Sequence, residues 1–489
     1  MASSGINKQS TWRSADAAIL GISLERGAAE LLSVQLAGTL RRLILEGRIG
    51  PGTKLPASRQ LARELSVSRA TVIAAVDQLV AEGYAEGRRG SGLYVAPDLP
   101  ESLLQATPPG PALRIDAVRP APELIVPFQP SSPDLDLFPH AVWAKLLEMT
   151  WHSPEQALLG RPDPAGWLPL RAAIADHLAA WRGIAAAPES IIVMSGMSES
   201  LELIARALLS AGSKVLVEEP GYRQLRAAFA DAGLVVCPSP VDSHGFDIAL
   251  AHRNWSSAVA VAVTPSRHYP LGMTMPLARR LELLEWARRR HALVIEDDYD
   301  SEYRFEGRPL PALMSLDREE RVLYLGSFSK VVSTALRLAF IVAPPRFARR
   351  MIARLTEGGS KASLVPQPAL AEFMRSGRFA AHIRRMRRVY ASRQQALVTA
   401  ARRHLAGLLD VSASPAGMHL VATMTPALSQ RMSDKDASRR AAAMGVSAPA
   451  LTAFYAGKPD RQGLILGYAA FDETMIERAT VRLAEALGI

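Results

Sequence analysis

Ala292-Leu-Val-Ile-Glu-Asp-Asp-Tyr-Asp300 and, further on, Val322-Leu-Tyr-Leu-Gly-Ser-Phe-Ser-Lys330 share one pattern: a short apolar run that ends in chemically capable side chains. A run of four apolar residues is too short for a helix and reads as a buried strand. Working outward, Ile191-Ile-Val-Met194, Val215-Leu-Val217, Ala258 to Val263 and Phe340 to Ala343 repeat it, with helical patterns such as Glu199 to Leu209 between them. Strands alternating with helices make an α/β domain around a mostly parallel sheet. Such sheets bind ligands beyond the carboxyl ends of their strands, so the residues that close each run deserve attention.

Those residues form a constellation. Ser195-Gly196-Met197-Ser198 stands at a helix start, where free N–H groups and the helix dipole suit a phosphate, although small residues at such a turn are by themselves ordinary geometry. Glu218-Glu-Pro-Gly-Tyr222 sets an aromatic ring at the crevice; alone, Tyr222 reads as a packed aromatic. The carboxylates of Glu296 to Asp300 need a cation or donors, because burying unpaired charge is costly. Lysine is scarce (Lys8, Lys54, Lys145, Lys214, Lys330, Lys361, Lys435 and Lys458), so a reactive amine has few candidates. Singly, Lys330 reads as a surface lysine and Asp297 as a cap or salt-bridge partner. In this order and at strand ends they describe a pyridoxal phosphate site: Lys330 for a Schiff base, Asp297 to keep the pyridine nitrogen protonated, and Ser198, Ser327 and Arg337 for the phosphate.

The first 97 residues read differently. Leu32, Leu36, Leu40, Leu43 and Ile44 recur at helical spacing, and Gly50-Pro51-Gly52 is expected to stop that helix. Ser58 to Leu65 makes a short helix. Ser68 caps a third, with Val72, Val76, Leu79 and Val80 as its buried stripe and Ser68, Arg69 and Thr71 exposed in its first turn. Tyr84-Ala-Glu86 and Leu93-Tyr-Val95 flank a basic, glycine-rich tip from Gly87 to Gly92. The result is a winged helix-turn-helix, which would set the third helix in a major groove and the tip against phosphates. The plainer reading is a small domain whose Arg59, Arg69, Arg88 and Arg89 solvate its surface. Residues 98–124, rich in proline, read as a semi-rigid linker to a domain over residues 125–489.

With 489 residues, 48% of them hydrophobic, the chain can bury large cores, and its composition excludes wholesale disorder and fibrous architecture. A formal net charge of +10 fits an anionic partner. No apolar stretch is long enough to cross a bilayer, and Cys237 is the only cysteine, so neither an internal disulfide nor a multi-cysteine metal site can form; a cytoplasmic, membrane-free protein is expected.

Leu43-Ile-Leu-Glu-Gly-Arg-Ile-Gly-Pro-Gly-Thr-Lys-Leu-Pro-Ala-Ser-Arg59, Leu65-Ser-Val-Ser-Arg-Ala-Thr71 and Gly90-Ser-Gly-Leu-Tyr-Val95 closely resemble the GntR-type winged helix, across about residues 29–96. The resemblance implies that Arg59, Ser68, Arg69, Thr71 and a wing of Arg88, Arg89 and Gly90 contact DNA. Residues 125–489 are similar to fold-type I aminotransferases, on Gly160-Arg-Pro-Asp-Pro-Ala-Gly-Trp-Leu-Pro-Leu-Arg171, Glu219 to Tyr222, Thr264-Pro-Ser266, Glu296 to Asp300 and Ser327 to Lys330 with Leu336-Arg-Leu338. A GntR-type winged helix joined to that domain resembles the MocR/GabR family of transcriptional regulators. This implies pyridoxal 5'-phosphate bound on Lys330 among Asp297, Tyr299, Tyr222, Gly196, Met197, Ser198, Ser327 and Arg337, with Tyr299 facing its phenolic oxygen, and a head-to-tail homodimer. Two departures stand out: Arg267-His268-Tyr269 replaces the family's more common run, and Gly463-Leu-Ile-Leu-Gly467 lacks the arginine that clamps a substrate carboxylate in many aminotransferases.

The expected function is therefore a one-component regulator in which an amino compound acting on the Lys330-bound cofactor alters operator binding. The domain is expected to serve as a sensor rather than an enzyme. An active aminotransferase with a DNA-binding appendage, and a regulator that senses pyridoxal phosphate itself, are the alternatives.

Overall fold

The computed structural model describes residues 22–88, 91–99, 125–160, 162–307 and 310–488. Its contacts separate two units, Met1–Ala121 and Pro122–Ile489.

In the first unit, helix α1 (Leu32–Leu45) buries Leu36, Leu40, Leu43 and Ile44, the stripe its spacing dictates. It stops before Gly50-Pro51-Gly52, the expected terminator: Glu46 is its C-cap, and Gly47 follows with φ 72°, a conformation that costs glycine little. Helix α2 (Ser58–Glu64) buries Leu61. The Ser68 side chain then accepts the Thr71 N–H at 3.0 Å and starts α3 (Arg69–Ala81). Val72, Ala75 and Leu79 form its buried face, whereas Val80, expected in that stripe, is exposed. The helical repeat explains this correction: at about 100° per residue, Leu79 lies roughly 20° from Val72 around the axis and Val80 roughly 80°. Strands β1 (Ala85–Arg88) and β2 (Gly92–Val95) pair antiparallel, with Ala85 opposite Val95.

The second unit is built on an eight-stranded sheet of β3 (Ile191–Met194), β4 (Lys214–Glu219), β5 (Val235–Asp242), β6 (Gly245–Phe246), β7 (Ala260–Val263), β8 (Leu293–Asp298), β9 (Val322–Ser327) and β10 (Ala339–Val342). Its spatial order is β3-β10-β9-β8-β7-β4-β5-β6. Pairs β5/β4, β4/β7, β7/β8 and β8/β9 are parallel, and only β10 and β6 run against their neighbours. Both faces are covered, which is why the strands read as unbroken apolar runs. Val215 and Val217 pack on the layer that holds the helices Met197–Leu208 and Arg223–Asp231, while Leu216 faces the layer with the helix Leu277–Arg290. Beyond the sheet, the long helix Arg378–His404 and the helix Glu473–Leu487 pack with a three-stranded antiparallel sheet of β11 (Leu409–Val411), β12 (His419–Met424) and β13 (Gly463–Gly467).

Strand β5 has no counterpart among the sequence-read runs because it contains Pro238 and Pro240. The Val235 N–H points at Ser213 beside β4, so the nitrogens of Pro238 and Pro240, at the alternate positions, face away from β4, where no ladder donor is needed. Cys237, just before Pro238 and in phase with Val235, is fully buried. No helix among the described residues is long and apolar enough to cross a membrane.

Candidate functional site

A cavity of about 440 Å³ opens at the carboxyl ends of the strands of the large sheet. All nine residues singled out for a cofactor line it: Gly196, Met197, Ser198, Tyr222, Asp297, Tyr299, Ser327, Lys330 and Arg337. The fold brings them together from four crossings. Gly196 leads into the helix Met197–Leu208 at the end of β3, so N–H groups of its first turn face the cavity without intrahelical acceptors. Tyr222 is the N-cap residue of the helix that follows β4, Asp297 is the next-to-last residue of β8, and Ser327 ends β9. Arg337 takes a left-handed conformation, φ 48° and ψ 51°, as it leads into β10.

The acidic cluster resolves into four carboxylates, three of which have partners of their own. Glu296 accepts the Leu313 and Met314 N–H groups at 2.8 and 2.9 Å. Asp298 pairs with Arg182 at 2.9 Å and accepts the Tyr324 hydroxyl at 2.6 Å. Asp300 pairs with Arg267 at 3.1 Å. Asp297 differs: it is buried, it lines the cavity, and its Oδ1 has no hydrogen-bond partner. Burial, with Asp298 and Asp300 nearby, pushes its carboxyl up to about 7, while Lys330 opposes that rise. Burial also lowers the Lys330 amine below the ordinary lysine range, against the pull of Asp300 and Asp297. A protonated ring nitrogen would give Asp297 the charge-assisted donor it lacks. The cavity therefore fits pyridoxal phosphate on all three counts: an amine beside the carboxylates, a carboxylate wanting a cationic donor, and a helix start with Ser198, Ser327 and Arg337.

The cavity holds residues that the sequence did not single out. Tyr269 lines it, and its ring meets Tyr222, Tyr299, His419 and Phe454 edge-on at centroid distances of 5.4 to 5.8 Å. Ser131, Gln224 and Thr334 line it as well, and Ser131 has a positive φ of 62°. Tyr269 belongs to the unusual Arg267-His268-Tyr269 run, which was the available signal; Ser131 lies far off in sequence and offered none. Arg267, in that run, donates to the Tyr299 hydroxyl at 2.9 Å and to the His419 carbonyl at 2.7 Å, so it anchors Tyr299.

In the first unit, Arg59 is exposed on α2 and Arg69, at the start of α3, is exposed with its Nε 3.5 Å from Ser58 Oγ. Ser68 and Thr71 are tied to each other by the cap, their hydroxyls 2.8 Å apart. Arg88 ends β1, where it pairs with Glu86 at 2.9 Å and lies over the Tyr94 ring at 4.6 Å. Arg89 and Gly90 lie outside the described residues.

Comparison with known proteins agrees with both halves. Residues 32–95 match the family described as "Bacterial regulatory proteins, gntR family", and residues 129–483 match "Aminotransferase class I and II". Over 467 residues the chain is 40% identical to the "Probable rhizopine catabolism regulatory protein MocR" of Rhizobium meliloti, covering 93% of each. The chain belongs to the MocR family of transcriptional regulators. A second regulator of this type, the "HTH-type pyridoxine biosynthesis transcriptional regulator PdxR" of Corynebacterium glutamicum, is 32% identical and covers 96% of this chain and 99% of its own length. Among solved structures, the Thermus thermophilus alpha-aminoadipate aminotransferase complexed with N-(5'-phosphopyridoxyl)-L-leucine is 29% identical, with a TM-score of 0.67 over 74% of this chain and 92% of its own. This MocR-type regulator thus combines a GntR-type DNA-binding domain with a fold-type I aminotransferase domain whose cofactor is pyridoxal 5'-phosphate.

Proposed function

We propose that this MocR-type regulator senses an amino compound through pyridoxal phosphate held on Lys330, and that the encounter changes how a homodimer places its winged helices on operator DNA. The observation that carries this reading is the unpartnered, buried Oδ1 of Asp297 facing the same cavity as Lys330. When bound, the cofactor supplies an electrophilic carbon that primary amines can attack.

The chain's own residues do the rest. Asp297 would hold a proton on the ring nitrogen, and Tyr299, anchored by Arg267, would donate to the phenolic oxygen. Ser198, Ser327, Arg337 and the N–H groups after Gly196 would bind the phosphate, with Tyr222 set beside the ring. Arg59, Arg69, Thr71 and the wing around Arg88 would face DNA, while Ser68 acts chiefly as the cap of α3. We place the protein in the cytoplasm, where a lone buried thiol fits a reducing compartment.

Borohydride reduction followed by peptide mapping tests the assignment: the cofactor is expected on Lys330 and absent from a Lys330→Ala protein. A cofactor mapped to Lys361 or any other lysine would overturn it. Incubation with amino donors and keto acids separates sensing from catalysis, since multiple turnover would make the protein an aminotransferase.

A further inference from the structure

Basic charge is concentrated in one stretch of the large domain. Between Pro345 and Arg403 there are fourteen Lys and Arg against two Asp and Glu, whereas the rest of residues 125–489 holds twenty-nine against thirty-three. The helix Arg378–His404 carries eight arginines and no acidic residue. Three of the eight are spoken for: Arg393 pairs with Asp134, Arg403 pairs with Glu477, and Arg387 lies over the Trp181 ring and donates to the Glu302 carbonyl. Arg378, Arg384, Arg385 and Arg388 are exposed, with no ion pair or hydrogen bond among the described residues.

Helical geometry sets these four on one face. At about 100° per residue they fall within roughly 120° of arc, opposite the buried Phe379, Met386 and Tyr390. From Arg378 to Arg388 the face runs about 15 Å, which matches several successive phosphates along a duplex. Arg385 and Arg388 also line a groove of about 450 Å³, where the one carboxylate, Glu473, is engaged by the Ser392 hydroxyl at 2.8 Å. Four unneutralised guanidinium groups on a rigid helix repel one another and stay only because water screens them; a polyanion would relieve that repulsion.

We propose that this arginine face is a second, sequence-independent docking surface for the phosphate backbone of duplex DNA. It goes beyond the winged helix, though it rests on the protein being a DNA binder. Operator choice would stay with α3, and the large domain would add affinity by releasing counterions from neighbouring DNA.

The test is the salt dependence of binding to a long random-sequence duplex by the full-length, cofactor-loaded protein, with R384A/R385A/R388A beside R384K/R385K/R388K. Three lost phosphate contacts should flatten the log-affinity against log-salt slope by about 2.7. The lysine variant should keep the wild-type slope, and both should keep the cofactor's absorbance. An unchanged slope in the alanine variant overturns the proposal, and so does an equal loss in the lysine variant, which would mark a packing role. An unchanged DNA slope together with wild-type binding to phosphatidylglycerol vesicles that the alanine variant lacks would assign the face to a membrane instead. If the wild type binds no duplex, the DNA-binding reading falls as well; if it binds and the alanine variant matches it, only this proposal falls.

Discussion

Asp297 and Asp298 are chemically identical neighbours with opposite jobs. Asp298 neutralises buried Arg182, and breaking such a pair by removing one partner costs about 3–5 kcal/mol. Asp298→Asn should therefore lower the thermal midpoint substantially, and Asp297→Asn should not. Asp297→Asn should instead weaken cofactor binding by about ten- to a hundredfold, the worth of roughly 1.5–3 kcal/mol for a charge-assisted hydrogen bond. Cofactor titration and melting curves on both variants check this, and the reverse pattern would exchange the two roles. A pH dependence follows with a definite sign. Asp297 is raised from 3.8 to about 7 by folding, so in cofactor-free protein its contribution is fully present below 3.8 and is lost as pH rises through about 7. Melting of the cofactor-free wild type across that window should fall more steeply than that of Asp297→Asn. In the sequence, all four carboxylates sat at one strand end, and nothing there said which one faced the ligand. That depends on the pleat, and on partners as remote as Arg182, Leu313 and Arg267.

Elements were legible where one local rule decided them and obscure where two rules competed. The α1 stripe and the capping of α3 by Ser68 rest on spacing and hydrogen bonding inside a few residues. Strand β5 was hidden because proline speaks against a strand unless the free side of the sheet is known, and β11, three residues long, is too short to stand out. The cap offers a quantitative check: Ser68→Ala should destabilise the first unit by about 1 kcal/mol, read from its melting transition. Arg69→Ala should spare stability but reduce discrimination between operator and random duplex, since Arg69 sits exposed at the start of α3. Arg88 lies against Glu86 and Tyr94, so Arg88→Ala should weaken both duplexes alike and flatten the salt slope by no more than about 0.9. Competitive binding with the two duplexes reads both arginine variants, and unchanged discrimination in Arg69→Ala would reject this docking.

At the scale of the molecule, every residue around the cavity belongs to the second unit. Residues 125–489 produced alone should then fold, take up cofactor on Lys330 and bind it as tightly as the full chain does; a tenfold weaker affinity would mean that the first unit completes the site. Coupling is a separate matter, because an effector can only shift an equilibrium between arrangements it tells apart. Replacing Pro108-Pro109-Gly110-Pro111 with a Gly/Ser run of equal length should leave cofactor binding intact and reduce the effector's influence on operator affinity. Those four residues lie outside the described ones. Full coupling after the replacement would route the signal through direct contact between the two units.

The thiol of Cys237 is shut inside the sheet beside β4, and the chain has no other. A maleimide dye would therefore find almost nothing to react with on the native protein. One cysteine introduced on the exposed face of α3 and another on the outer surface of the helix Leu277–Arg290 would then carry a donor and an acceptor with little background labelling. The separation of the two units, and its change when an amine or a duplex is added, becomes a distance that single-molecule fluorescence can follow in time, without first stripping the protein of a reactive residue.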